Sequence, residues 1–175
     1  YHNNLGTVYR TLGKIDEAVA CYRYAVGLRP DFAAAFNNLG IALLEKRDYA
    51  QAQRAVERAL EAKPDYAAAW FNLGNVLAMR DEHAKAVEHY RQALAFDPSH
   101  IDALNNLGAA LNELGDNDEA ASCYQRVLAL QPANAAAHNN FGRVLAQRDE
   151  LDAAIGHFRE AIALQPHAID AHINL

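Results

Sequence analysis

The feature that most constrains this chain is a recurrence at one fixed spacing. Its five prolines, Pro30, Pro64, Pro98, Pro132 and Pro166, are evenly spaced along the sequence. Gly6, Gly40, Gly74, Gly108 and Gly142 keep the same step, as do Ala18, Ala52, Ala86, Ala120 and Ala154. Recurrence at such a period marks an array of stacked units, each too small to bury its own apolar face alone. Within one unit the apolar residues fall at helical spacing. Trp70, Leu73, Gly74 and Leu77 share one face, and Ala86, Tyr90 and Ala93 share another further on. Pro98 then forbids continuation and pushes the residue before it out of the α region. The pattern predicts two helices per unit and no strands.

The spacing W-x2-L-G-x2-L, then A-x3-Y-x2-A, then P, closely resembles the tetratricopeptide (TPR) repeat, and the resemblance covers the whole chain. The Trp position holds His2, Phe36, Leu104, His138 and His172 in the other copies, swaps that keep bulk. The resemblance implies an all-α TPR α-solenoid, a right-handed superhelix of antiparallel helix pairs. Five repeats are expected: residues 1–32, which is partial, 33–66, 67–100, 101–134 and 135–168. Residues 169–175 begin a sixth. With neither end carrying a polar cap, the sequence reads as a fragment of a longer array.

Individual positions sharpen the fold. The Gly13-Lys14 turn separates the first two helices, the second running from about Ile15 to Leu28. Asp31, Asp65 and Ser99 are expected to cap the helices that follow them. A glycine inside a helix costs about 1 kcal/mol against alanine, tolerable if the second helix must approach closely there. Ala18, Ala52, Ala86, Ala120 and Ala154 are the matching small residues. Tyr22, Val56, Tyr90, Tyr124 and Phe158 are expected to fill the space between repeats.

Composition excludes several function classes. The net charge of −6 comes with no cluster of Lys or Arg, which argues against a nucleic-acid partner or an anionic membrane surface. No apolar run of about 18 residues is present, so no membrane span is expected. Cys21 and Cys123 occupy one repeat position three repeats apart, beyond disulfide reach in a stacked array. Reduced thiols fit a cytoplasmic location. The only serines, Ser99 and Ser122, lie outside any nucleophile-elbow motif. The eight histidines show no H-x3-H or H-E-x-x-H spacing. No catalysis, metal or cofactor is expected.

One column of residues is not explained by packing. Asn4, Asn38, Asn72, Asn106, Asn140 and Asn174 follow the repeat period, although asparagine is a mediocre residue for a helix interior. In the TPR arrangement this position points into the concave groove, so stacked repeats would line up a ladder of amides. Each amide offers an acceptor and two donors, enough to bond a peptide's C=O and N–H without reading its side chain. An extended peptide advances about 3.3 Å per residue and packed helices lie about 8–10 Å apart, so successive rungs would meet every third residue. The ladder resembles that of the TPR domain of O-linked N-acetylglucosamine transferase and is similar in principle to that of importin-α. Simple copying of recent duplicates is the alternative. Against it, the position after the glycine has drifted to Thr7, Ile41, Asn75, Ala109 and Arg143.

Neighbouring positions shape the expected groove. Asn3, Asn37, Asn105 and Asn139 precede the ladder residues, and Phe71 takes that place in the third repeat. Phe71 and Met79 would give a mid-groove hydrophobic anchor, with Asn75 beside them. Arg10 and Arg143 are the groove cations. The reading is a protein–protein interaction scaffold that binds extended segments of protein or peptide. Alternatives are the substrate-recruiting arm of a larger enzyme, such as an O-linked glycosyltransferase, and a self-assembly scaffold associating end to end or by swapping.

Overall fold

The protein, seen in a computed structural model, is described at residues 1–167 and 169–175. Ala168, the expected last residue of the fifth repeat, lies outside the described residues. Eleven helices and no strand occur among the described residues. They fall into two compact units, residues 1–98 and 99–175. The first unit holds α1 (His2–Thr11), α2 (Ile15–Leu28), α3 (Ala33–Glu45), α4 (Tyr49–Ala62), α5 (Ala67–Ala78) and α6 (His83–Phe96). The second holds α7 (Ile101–Glu113), α8 (Asn117–Leu130), α9 (Ala135–Gln147), α10 (Leu151–Leu164) and α11 (Ile169–Asn174).

Each odd-numbered helix from α1 to α9 packs on the even-numbered helix that follows it, forming a hairpin. In α4 the buried residues are Ala52, Ala55, Val56, Ala59 and Leu60, an apolar stripe at the i, i+3, i+4, i+7, i+8 spacing. The odd helices α1, α3 and α5 also touch one another in sequence, whereas α2, α4 and α6 do not among the described residues. The second unit repeats this arrangement, with α9 touching both α7 and α11. In each unit the odd helices therefore form the tighter layer, and the even helices splay apart as in an α-solenoid.

The five hairpin turns share one geometry. Gly13, Arg47, Asp81, Gly115 and Asp149, one per repeat, all have positive φ, between 60° and 84°. In the first turn the Lys14 amide donates to Tyr9 O at 2.9 Å and the Gly13 amide to Arg10 O at 3.0 Å. This Schellman pairing satisfies carbonyls that the helix end leaves open. The same two bonds recur at Arg47, Asp81, Gly115 and Asp149.

Two expectations about local structure need correction. The N-caps of α3, α5, α7 and α9 are Phe32, Tyr66, His100 and Asn134, one residue later than Asp31, Asp65 and Ser99 suggested. His100 and Asn134 accept from the amides of Ala103 and Ala137 through their side chains, while the side chains of Phe32 and Tyr66 make no capping bond. The large knobs also seat first inside their own hairpin, not between repeats. A Cβ added at Gly74 would stand 2.5 Å from Tyr90, and one at Gly142 would stand 2.5 Å from Phe158. The glycine is the socket for the aromatic ring on the second helix of its hairpin. Tyr124 does both, filling Gly108 and reaching the Phe141 ring of the next hairpin at 6.5 Å.

Candidate functional site

The asparagine column lies on the odd-numbered helices, and its side chains bond sideways across repeats. The Asn38 amide donates through Nδ2 to Asn3 Oδ1 at 3.0 Å, and the Asn72 amide donates to Asn37 Oδ1 at 2.8 Å. In the second unit Asn174 donates to Asn139 Oδ1 at 3.0 Å. The doublet has a division of labour. Its second asparagine donates backward, and its first accepts from the hairpin that follows. Among the described residues the buried Asn105 Oδ1 has no partner, so the acceptor there is left open.

These bonds change what the column can offer. Each commits one amide hydrogen and leaves the donor's Oδ1 and second N–H. Exposure then decides which are reachable. Asn4 is exposed, and Asn38, Asn106, Asn140 and Asn174 are half-buried. Asn72 is only 8% exposed and Asn37 only 3%. The expectation of a uniformly accessible ladder therefore fails at Asn72, because the α3–α5 contact closes over the Asn37–Asn72 pair. The bonds run to neighbouring side chains and not to the residues' own helices, so an isolated helix could not make them.

The flanking residues divide similarly. Phe71 is half-buried with its ring 6.0 Å from that of Tyr90, and Met79 is exposed at the C-cap of α5. Asn75 Oδ1 accepts from the Tyr90 hydroxyl at 2.9 Å, so it braces its own hairpin. Burial is the main cause raising the Tyr124 phenol well above its ordinary value, with Arg143 nearby pulling the other way. Arg10 is taken by Glu45 at 2.8 Å. Arg143 is exposed and, among the described residues, has no ion-pair partner. Together with Asn139, Asn140, Asp170, Ile173 and Asn174 it lines a depression of about 350 Å³ on α9 and α11.

Sequence reasoning missed one role. The position held by Trp70, His138 and His172 carries a ring N–H, not simply bulk. Trp70 Nε1 donates to Pro64 O at 2.8 Å, His138 Nε2 to Pro132 O at 3.0 Å and His172 Nε2 to Pro166 O at 2.9 Å. The signal was the exchange of Trp with His alone among polar residues, six residues after a proline. Both cysteines are free. Among the described residues no group of three His, Cys, Asp or Glu could hold a metal ion. No described helix is long and apolar enough to cross a membrane.

Residues 37–101 and 102–169 match a family model described as tetratricopeptide repeat, and residues 6–47 match another described as TPR repeat. The curated protein sequences give no match. Among solved structures, the chain is similar to YrrB, described as a TPR protein with an unusual peptide-binding site. The identity is 25%, the match covers 98% of this chain and 89% of that one, and the TM-score is 0.81. It is also similar to MamA from Desulfovibrio magneticus RS-1, at 20% identity over 96% and 95% of the two chains with a TM-score of 0.85. Another MamA structure matches at 22% identity over 92% and 94%, with a TM-score of 0.83. At the MamA identities the likeness speaks for the fold.

Proposed function

The chain belongs to the tetratricopeptide repeat family, and from that premise we propose that it is a non-catalytic scaffold binding extended polypeptide segments along its odd-numbered helices. One observation carries the reading: the half-buried Asn38 and Asn174, at one helix position, are oriented by lateral bonds yet keep an acceptor and a second N–H each. A side chain held in place before binding loses less entropy when a ligand arrives. The lateral bond therefore makes Asn38 and Asn174 better peptide ligands than free asparagines would be. Asn4, Asn106 and Asn140 complete the accessible set, while Asn72, Asn37, Asn3 and Asn139 act as its supports and Asn105 holds the matching place in the fourth repeat. Phe71 and Met79 anchor an apolar side chain in the third repeat. The similarity to YrrB, itself described as having a peptide-binding site, supports a peptide ligand.

The test is a panel of unrelated extended peptides, measured against Asn4→Ala, Asn38→Ala and Asn140→Ala singly and combined. Each single change is expected to weaken every peptide in the panel by about 0.5–1.5 kcal/mol, the worth of one net hydrogen bond. Asn72→Ala should lower thermal stability and leave affinity nearly intact. Unchanged affinity in the triple variant overturns the reading. So does loss confined to one peptide, because the proposed mode reads backbone.

A further inference from the structure

On the opposite side of the first unit, α4 and α6 stand apart and open a cleft of about 800 Å³ floored by α5. That volume suits a side chain together with its neighbours in a chain. The floor is Trp70 with Leu73 and Leu77. One end of the cleft is electrically closed. Arg80 donates to Gln53 at 2.6 Å and pairs with Glu82 at 2.9 Å, and Lys85 pairs with the same Glu82 at 2.6 Å. The α4 wall is different. Glu57 and Glu61 lie one helical turn apart and both line the cleft. Among the described residues Glu57 accepts only from the neutral Gln53 amide at 2.8 Å, and Glu61 is held by Arg58 on the exposed outer side. Burial holds His89, stacked on Trp70 at 5.5 Å, toward its neutral form. The lining therefore carries three carboxylates against two cations.

The neighbouring repeat shows what belongs beside such a ring. Phe36, which holds Trp70's place one repeat earlier, has the Arg58 guanidinium of its own hairpin over its ring at 5.8 Å. Tyr24, which holds Arg58's place one repeat earlier again, covers the His2 ring at 4.3 Å. The equivalent residue in the third repeat is Gln92, which is exposed and uncharged. Among the described residues no cation stands over Trp70. The third repeat thus keeps the aromatic ring, lacks the internal guanidinium and has an acidic wall beside the ring, where the places of Glu57 and Glu61 one repeat earlier hold Arg23 and Gly27.

We propose that this cleft receives an arginine side chain from a partner polypeptide, its guanidinium against Trp70 and within reach of Glu57 and Glu61. A planar guanidinium stacks on an indole and pairs with carboxylates through fixed donors, which a lysine ammonium does less well. The site is separate from the asparagine column and stands whether or not that column binds peptide.

Trp70 is the sole tryptophan, so its fluorescence reports the cleft directly. The probe is acetyl-Gly-Arg-Gly-amide, with the citrulline analogue as the neutral isostere. Saturable change in Trp70 emission is expected with the arginine peptide, and binding at least about tenfold weaker with citrulline. Glu57→Gln combined with Glu61→Gln should weaken the arginine peptide to the citrulline level. Gln92→Arg should supply the guanidinium internally and block the peptide, with thermal stability kept or raised. Asn38→Ala should leave this titration unchanged. No saturable response, equal binding of citrulline, or full binding by a folded Gln92→Arg variant overturns the proposal.

Discussion

The third and fifth hairpins set the same problem and solve it with different side chains. In both, an aromatic ring seats on a glycine, Tyr90 on Gly74 and Phe158 on Gly142. In both, an aspartate with positive φ makes the turn, Asp81 and Asp149. In both, a ring N–H at the start of the hairpin bonds a proline carbonyl six residues back. The rings they pair with differ in kind of contact. Trp70 stacks on His89 with centroids 5.5 Å apart and planes 18° apart. His138 instead meets His157 through Nδ1 atoms 2.9 Å apart. A carbonyl only accepts, so His138 Nε2 bears the hydrogen, its Nδ1 accepts, and His157 Nδ1 donates. These two hairpins, unlike the second and fourth with Phe36 and Leu104, use a ring with one outward N–H. What sits behind that ring is free to vary, and the proton chemistry of the hairpin varies with it.

The shared socket is the most sensitive element. Gly74→Leu and Gly142→Leu should each destabilise by about 1–3 kcal/mol or more, because Tyr90 or Phe158 must leave its seat. Urea unfolding followed by circular dichroism measures both, and Trp70 emission isolates the first unit. Gly27 and Gly156 are the controls. Nothing lies within 4 Å of a Cβ added at either, so alanine there should stabilise by about 1 kcal/mol through helix propensity. Similar effects at Gly74 and Gly27 would remove the socket from the comparison.

The ring bond comes next. His138→Leu loses the bonds to Pro132 and His157 and should cost about 0.5–1.5 kcal/mol per bond. His138→Trp should recover the proline bond and convert the fifth hairpin toward the third. If Leu and Trp behave alike in thermal unfolding, the N–H is not what this position needs.

Acidity separates the two pairs further. Burial is the main cause lowering both His89 and His157 below the ordinary histidine value. Glu88 and Glu57 oppose it at His89, whereas His138 adds to it at His157. On acidification the unfolded chain therefore takes up protons before the folded one. Stability is fully present above the histidine range and is lost as pH falls through it. Melting temperature should drop between pH 8 and pH 5, and His89→Phe or His157→Phe should flatten the profile. A profile unchanged in the double variant would show that other groups govern it.

The smallest expected effect is at the turns. Asp81→Gly and Asp149→Gly relieve a left-handed residue but loosen the unfolded chain. The net gain should be about 0.5 kcal/mol in each hairpin, read from thermal unfolding. Unequal gains would show that the turns are not equivalent.

The sequence alone determined the helix count, the hairpin order and the span of the second helix. Those follow from local rules repeated at one period: apolar spacing, proline stops, and in the first repeat a glycine turn. α2 runs from Ile15 to Leu28, where the pattern put it. Caps slipped by one residue: cap chemistry favours Asp31 over Phe32, yet α3 starts one residue later, with Phe32 at the cap position and no side-chain bond there. Tertiary structure decided what the asparagines do. A bond from Asn38 to Asn3, or from Asn72 to Asn37, crosses from one repeat to the one before and depends on how one hairpin sits on the next. The same stacking buried Asn72 and left Asn4 exposed, though both hold the same place in the repeat. The guanidinium missing beside Trp70 is by contrast written in the sequence, since Gln92 stands where the repeat before has Arg58; burial and contact belong to the packed array and not to the period.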